Sequence, residues 1–126
     1  MVMQHQTNFI ELVEELRPAV NEINTLDVKL KLDQHEPIQL IDVREDHEWQ
    51  YGHIPSAIHL ARGILERDID NLVPNKEQGL VLYCSGGFRS VLAAYNLQKM
   101  GYRHVYSMSG GLKAWLNNGF TLDNSN

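Results

Sequence analysis

The residues best suited to chemistry in this 126-residue chain run from Leu80 to Ser90 and read LVLYCSGGFRS. An apolar run leads to the chain's only cysteine, Cys84, and two glycines follow before a helical pattern begins. The apolar run predicts a buried strand, and the glycines predict a tight loop because glycine adopts positive φ at no steric cost. The sequence therefore predicts a strand, a loop and a helix start, with a thiol where the loop begins.

The predicted loop is suited to holding an anion. Its glycines let backbone N–H groups point into the ring, and the start of the next helix adds unpaired N–H groups and the positive end of a dipole. Cys84 would then be a thiolate, which is the nucleophilic form of cysteine. The predicted substrate-binding residues are Ser85, Gly86, Gly87, Phe88, Arg89 and Ser90, with Arg62 as a second nearby cation.

A lone cysteine after LVLY is also compatible with a buried core thiol, which is the ordinary position of a free cysteine. A core thiol needs neither the two glycines nor Arg89 beside it. These neighbours favour a functional cysteine that acts on an anionic substrate.

Length and charge limit the classes of function. A chain of this length predicts one domain, and a formal charge of -5 argues against binding to nucleic acid, whose backbone recruits basic residues. No apolar run approaches the roughly 18 residues that a membrane span requires.

A single cysteine cannot form an internal disulfide, and charged residues interrupt the first twenty positions, unlike a secretory signal. We expect a cytoplasmic location. The six scattered histidines do not predict a metal site.

The N-terminal region predicts an amphipathic helix. Asn8 and Glu11 resemble a capping box, and apolar residues follow at helical spacing up to Arg17, before Pro18. We expect this helix to pack on the domain's own surface. Next come an edge strand over Val20–Ile23 and a helix that Thr25 caps and that continues towards Gln34.

Strand and helix patterns alternate through the remaining chain. The predicted strands are Ile38–Val43, Ala57–Leu60, Leu80–Tyr83 and Val105–Met108. The predicted helices are Asp46–Tyr51, one within Ala61–Leu72, one from Arg89 or Ser90 to Met100, and Leu112–Asn117, in which Trp115 is a core anchor. This alternation predicts an α/β fold, in which a central, largely parallel sheet of about five strands has helices on both faces and an extra N-terminal helix. The expected organisation is a helical extension over 1–19, one domain over 20–121 and a disordered tail over 122–126.

A charged cluster follows the strand at Ile38–Val43. Asp42, Arg44 and Glu45 stand at the carboxyl end of that strand, where ligands bind in open α/β sheets. They are either part of the site or a salt-bridge network that fixes a loop. We favour the network.

Four segments together resemble the rhodanese family of sulfurtransferase domains. They are LIDVREDHEW, YGHIPSAIHL, LYCSGGFRS and SGGLKAW, in the family's order and separations, and the resemblance covers about Ile23 to Phe120. Two departures stand out: Ser56 occupies a turn position where the family usually has glycine, and Ser85 follows the cysteine where many members have a basic residue.

The resemblance implies a sulfurtransferase. The Cys84 thiolate would take the outer sulfur of a small anionic donor such as thiosulfate, and the resulting persulfide would pass it to cyanide, a thiol or a protein acceptor. Neither a metal nor an organic cofactor is implied. Asp42, Arg44 and His53 would support the loops around the site rather than transfer protons.

Other functions remain open. A persulfide carrier or a regulatory module would also keep Cys84. A cysteine phosphatase or arsenate reductase is disfavoured because those enzymes resemble one another in placing one residue more between the cysteine and the arginine than the four found here.

Overall fold

The computed structural model describes residues 6–124 and contains one five-stranded sheet. All its strand pairs are parallel, in the order β1-β5-β4-β2-β3. The strands are β1 Asn21–Ile23, β2 Ile38–Asp42, β3 Ile58–His59, β4 Gly79–Tyr83 and β5 Val105–Met108. The helices are α1 Thr7–Leu16, α2 Thr25–Asp33, α3 Asp46–Gln50, α4 Arg62–Leu72, α5 Arg89–Lys99 and α6 Gly111–Asn117, with a 3₁₀ turn over Arg17–Ala19.

The central strands are continuously apolar because both faces of the sheet are covered. Side chains of a strand alternate between faces, so β4 contributes Leu80 and Leu82 to one core cluster and Val81 and Tyr83 to the other. The first cluster includes residues of α1, α4 and α5, and the second includes residues of α2 and α6. The predicted α/β class, with a parallel sheet between two helical layers, is confirmed.

The N-terminal helix packs on the domain, as predicted. Val13 of α1 is fully buried in the first cluster, and α1 contacts α5. The predicted capping box is wrong, because α1 begins at Thr7 and its N-cap residue, Gln6, makes no side-chain capping bond. The predicted cap of α2 is displaced by one residue: the Asn24 side chain accepts the Asp27 N–H at 2.8 Å.

Within the segment 122–126, which was expected to be a disordered tail, residues 122 and 123 make specific contacts with the domain. Leu122 packs against the second cluster. Asp123 forms an antiparallel bridge with His53 through two backbone hydrogen bonds of 2.8 and 2.9 Å. Residues 125–126 lie outside the described part. Within residues 6–124, no helix has both the length and the apolar character needed to cross a membrane.

Candidate active site

Cys84 follows β4 directly, and the next loop folds back over its sulfur. The side chain is buried, with 1% of the residue exposed. The Gly87 N–H donates to Sγ at 3.3 Å, and the Ser90 N–H, in the first turn of α5, donates to it at 3.4 Å. Two backbone dipoles thus point their positive ends at the sulfur, where they stabilise negative charge.

Two glycines allow the cysteine loop and the start of α6 to approach each other closely. Gly87 has φ 90°, and a Cβ there would lie 2.9 Å from the Gly110 nitrogen. Gly111 has φ 56°, and its Cβ would lie 2.5 Å from the carbonyl oxygen of Cys84. The first turn of α6 also donates to the loop, from Leu112 N–H to Cys84 O at 2.8 Å and from Lys113 N–H to Ser85 O at 3.0 Å. The loops after β4 and β5 therefore form one interlocked unit.

A pair of buried serines lies behind the sulfur. Ser90 Oγ is 3.6 Å from Cys84 Sγ and 2.7 Å from Ser107 Oγ, and both serines are fully buried. The sequence reasoning predicted Ser90 as a substrate contact, whereas its contacts here are with the sulfur of Cys84 itself. It missed Ser107, which belongs to β5 and gives no sequence signal beyond a polar residue in an apolar strand.

Arg89 is paired with a carboxylate rather than exposed as a loop cation. Its guanidinium donates to both carboxylate oxygens of Glu48, at 2.8 and 3.0 Å, and to Ser85 Oγ at 3.2 Å. The hydrogen bonds from Arg89, helped by the Glu45 amide, lower the pKa of Glu48 to about 2 against the effect of burial. The same hydrogen bonds raise the pKa of Arg89. The positive charge predicted for an anionic substrate is thus largely neutralised.

The sulfur lies at a small pocket of about 200 Å³. Besides residues of the loop, Phe9 of α1 and Lys113 of α6 line it. The sequence reasoning missed both, although Lys113 lies within the SGGLKAW segment and Phe9 on the apolar face of the first helix. The volume is below the range of about 300–1,000 Å³ typical of drug-sized ligands, which indicates a small substrate.

The predicted salt bridge between Asp42 and Arg44 is present. Arg44 Nη2 lies 2.8 Å from Asp42 Oδ2 and 2.7 Å from the Gly52 carbonyl oxygen, so it fastens the carboxyl end of β2 to a turn. Glu45 is not part of this network. It caps α3 through a reciprocal capping box with Glu48.

Two further predicted site residues are not among those that line the pocket. Arg62 begins α4 after the edge strand β3, which is two strands away from β4. His53 stacks on Trp49 with ring centroids 3.6 Å apart and holds the C-terminal segment through its backbone. Substrate contact by Arg62 therefore has no support from this pocket, and the supporting role of His53 stays a prediction.

Comparisons with known proteins agree with this fold and identify its family. The family model of the rhodanese-like domain matches residues 25–118. The Bacillus subtilis protein named "Putative sulfurtransferase YtwF" is 36% identical over 96 residues, which cover 76% of this chain and 90% of the relative. A sulfurtransferase of Allochromatium vinosum is 31% identical over 103 residues, covering 82% of this chain and 94% of the relative.

Two other matches concern the length of a relative and the similarity of a solved structure. The chain spans 51% of the Bacillus subtilis "Putative sulfur carrier protein YrkF", at 32% identity over 97 residues, or 77% of this chain. Among solved structures, a Rhodopseudomonas palustris protein of unknown function, described as a possible tyrosine phosphatase, has a TM-score of 0.84 at 27% identity, covering 98% of this chain and 99% of that one.

The parallel sheet, covered by helices on both faces, and the cysteine loop at the carboxyl end of its central strand define an α/β domain with a cysteine-centred site. This chain belongs to the rhodanese-like domain family, as its four motif segments predicted.

Proposed function

We propose that this protein moves a sulfane sulfur atom from an anionic donor, through a persulfide on Cys84, to a thiophilic acceptor. The observation that carries the proposal is the pair of N–H groups, from Gly87 and Ser90, that converge on Sγ at 3.3 and 3.4 Å. A thiolate carries its negative charge on Sγ, where preorganised amide dipoles stabilise it, whereas a persulfide carries its charge on the terminal sulfur, one S–S bond further out. Membership in the rhodanese-like family supports the same chemistry.

The reaction has two displacements. The Cys84 thiolate attacks the outer sulfur of thiosulfate, a new S–S bond forms, and the old S–S bond breaks with its electron pair leaving on sulfite. An acceptor such as cyanide then attacks the terminal sulfur of the persulfide, which gives thiocyanate and regenerates the thiolate. The chemistry needs only the cysteine and the two substrates.

The other residues position this sulfur. Arg89, Glu48 and Ser85 form a hydrogen-bonded group that fixes the loop from the α3 side. The buried pair of Asp42 and Arg44 would hold the end of β2 beside β4. Contact of the loop amides of Ser85, Gly86, Phe88 and Arg89 with a bound donor stays a prediction.

A persulfide carrier is the second candidate, since a relative is named as a sulfur carrier. A carrier and an enzyme both accept sulfur on Cys84 and differ in turnover. Repeated formation of thiocyanate by a small amount of protein would assign an enzyme, and a single loading followed by slow release would assign a carrier.

A phosphatase is the third candidate because a solved structure of similar shape carries that description. In this chain the N–H groups of Gly87, in the short loop, and Ser90, in α5, point at the cysteine sulfur itself. We therefore expect no appreciable turnover of an aryl phosphate under conditions in which the protein takes up sulfur.

Intact mass spectrometry after exposure to thiosulfate tests the proposal. We expect the wild-type protein to gain one sulfur atom and to lose it on addition of cyanide. Cys84→Ser should fold normally and gain nothing, because a serine hydroxyl does not ionise in such a loop. Sulfur uptake by Cys84→Ser, or robust phosphatase turnover by a wild-type protein that takes up no sulfur, would overturn it.

A further inference from the structure

The pocket beside Cys84 has an aromatic wall built partly by the N-terminal helix. Phe9 of α1 and Phe88 of the cysteine loop both line it, with ring centroids 6.2 Å apart. Phe9 lies outside residues 25–118, the part that the family model matches. This chain therefore adds an apolar surface to the site from a segment beyond the matched domain.

The second ring is held in place from another direction. The guanidinium carbon of Arg17 lies 5.8 Å from the centroid of Phe88, and Arg17 is itself tied to Glu14 and Glu22. Phe88 thus sits near two groups of the N-terminal segment, Phe9 and Arg17. The N-terminal segment therefore contacts the aromatic wall through both of these residues.

Among the described residues, the unpaired positive charge of the pocket belongs to Lys113 of α6. Arg89 is neutralised by Glu48, through hydrogen bonds of 2.8 and 3.0 Å. Lys113 is then the remaining cation that lines the pocket, and within residues 6–124 no carboxylate forms an ion pair with it. Its backbone N–H is bonded to Ser85 O at 3.0 Å, which fixes the position of its Cα beside the loop. The site therefore combines one unpaired positive charge with two aromatic rings.

We propose that the preferred donors are organic sulfane-sulfur anions that carry an apolar group beside a singly charged head, rather than thiosulfate. The apolar group packs against Phe9 and Phe88, and Lys113 binds the charged head. Thiosulfate has two negative charges and no apolar part, so it would bind the cation and make no apolar contact with the two rings. This inference rests on the proposed sulfur transfer at Cys84.

The pocket has room for such a group. An apolar cavity of about 150 Å³ accommodates a benzene ring, and this pocket measures about 200 Å³. In the reaction, the Cys84 thiolate attacks the outer sulfur of a thiosulfonate, R–SO₂–S⁻. A new S–S bond forms, and the bond between the two donor sulfurs breaks. Its electron pair leaves on the sulfinate, R–SO₂⁻.

Two thiosulfonates isolate the contribution of the aromatic wall. Benzenethiosulfonate and methanethiosulfonate carry the same charged head and differ in the size of the apolar group. With cyanide as the acceptor and thiocyanate as the readout, we expect the wild-type kcat/KM to be higher for the benzene compound. Phe9→Ala should lower the ratio of the two kcat/KM values by about tenfold, since the loss of an aromatic contact is of that order.

Control variants distinguish the loss of the aromatic contact from a general loss of activity or folding. Leu12→Ala removes an exposed apolar side chain from the same helix and should leave the ratio unchanged.

Lys113→Gln should lower kcat/KM about fivefold for both donors, because it removes the charge that binds the shared head. Lys99→Gln removes a charge near Tyr95, outside the pocket lining, and should change neither value. Should Phe9→Ala unfold, Phe9→Leu keeps the helix packed and should lower the ratio about threefold.

The outcomes distinguish this inference from the proposal on which it rests. An equal loss for both donors in the Phe9 variants, or an unchanged ratio, would overturn the aromatic subsite while leaving sulfur transfer intact. Unchanged kinetics in Lys113→Gln would overturn the assignment of the anion contact. Failure of the wild-type protein to take sulfur from any donor, seen by mass spectrometry, would overturn both.

Discussion

The hydroxyl groups of Ser90 and Ser107 lie behind the Cys84 sulfur and share a hydrogen bond of 2.7 Å. We expect Ser107→Ala to lower the free energy of unfolding by about 1–3 kcal/mol, because it leaves the buried Ser90 hydroxyl short of a partner. The double variant with Ser90→Ala should cost less than the sum of the two single variants, since removing both groups leaves neither unsatisfied. Urea unfolding of the four proteins measures this coupling, and strict additivity would contradict it.

Glu48 gives the protein a distinct response to acid. Its pKa is lowered from 4.5 to about 2, chiefly by the hydrogen bonds from Arg89. A carboxyl group with a depressed folded-state pKa stabilises the fold above its unfolded pKa and loses that contribution as the pH falls through the folded value. The stability that Glu48 provides should therefore be complete above about pH 4.5 and fade towards pH 2.

The comparison variant is Glu48→Gln, which keeps the shape of the side chain and does not titrate. The difference in unfolding free energy between the wild-type protein and Glu48→Gln should be largest near neutral pH. It should shrink as the pH approaches 2, and a difference that is constant with pH would show that the charge of Glu48 does not matter. Circular dichroism during urea titration at several pH values gives the measurement.

Part of the site was predictable from the sequence and part was not. Cys84 and its glycines lie within nine consecutive residues, LYCSGGFRS, so local pattern was enough to find them. Glu48, Lys113 and Phe9 come from three other elements, and only the packing of the chain brings Lys113 and Phe9 to the pocket and Glu48 to Arg89. The pairing of Arg89 with Glu48 was missed for the same reason, because the two residues lie 41 positions apart in the chain.

At the scale of elements, the contact between the cysteine loop and the first turn of α6 depends on the absence of a side chain. Gly111→Ala would bring a Cβ to 2.5 Å from the Cys84 carbonyl oxygen while φ is 56°. We expect a loss of at least about 2 kcal/mol in unfolding free energy, from backbone strain and overpacking together, and impaired sulfur uptake.

Gly63→Ala is the matched control for this change. Gly63 lies in α4, and a Cβ there would meet nothing within 4 Å. We expect it to change the unfolding free energy by no more than about 1 kcal/mol, in the stabilising direction, because alanine favours a helix. Equal effects of the two substitutions in a thermal melt would refute the tight contact at Gly111.

The strands and helices themselves follow closely from the sequence, because apolar runs and helical spacing are properties of neighbouring residues. The errors lie at their ends. The cap of α2 moved from Thr25 to Asn24, and the tail after residue 121 is tied to His53, a residue far earlier in the chain. Two neighbouring residues that could each cap a helix differ by a single hydrogen bond, which the sequence does not reveal. A bridge between residues far apart in the chain produces no periodic pattern in the sequence.

At the scale of the molecule, α1 and the sheet should unfold as one unit. Val13 of α1 is fully buried in the core cluster on one face, while Trp115 reports on the cluster of the other face. We expect Val13→Ala to cost about 1–3 kcal/mol through the cavity that it leaves. The fluorescence of the tryptophans and the far-ultraviolet circular dichroism should shift together, as in a two-state transition.

Ile10→Ala, at a more exposed position of the same helix, should have an effect within about 0.5 kcal/mol. If Val13→Ala released α1 alone, the dichroism would show an early loss of helix while the fluorescence stayed unchanged. That result would make the N-terminal helix a separate folding unit.

The order of the strands also affects how the protein behaves in concentrated solution. The two outermost strands, β1 with three residues and β3 with two, are the shortest of the sheet, while the five-residue strands β2 and β4 are enclosed. A long open edge is a template on which a second chain can add a strand, and short edges limit that growth. The short outer strands therefore leave little edge on which a second chain could extend the native sheet.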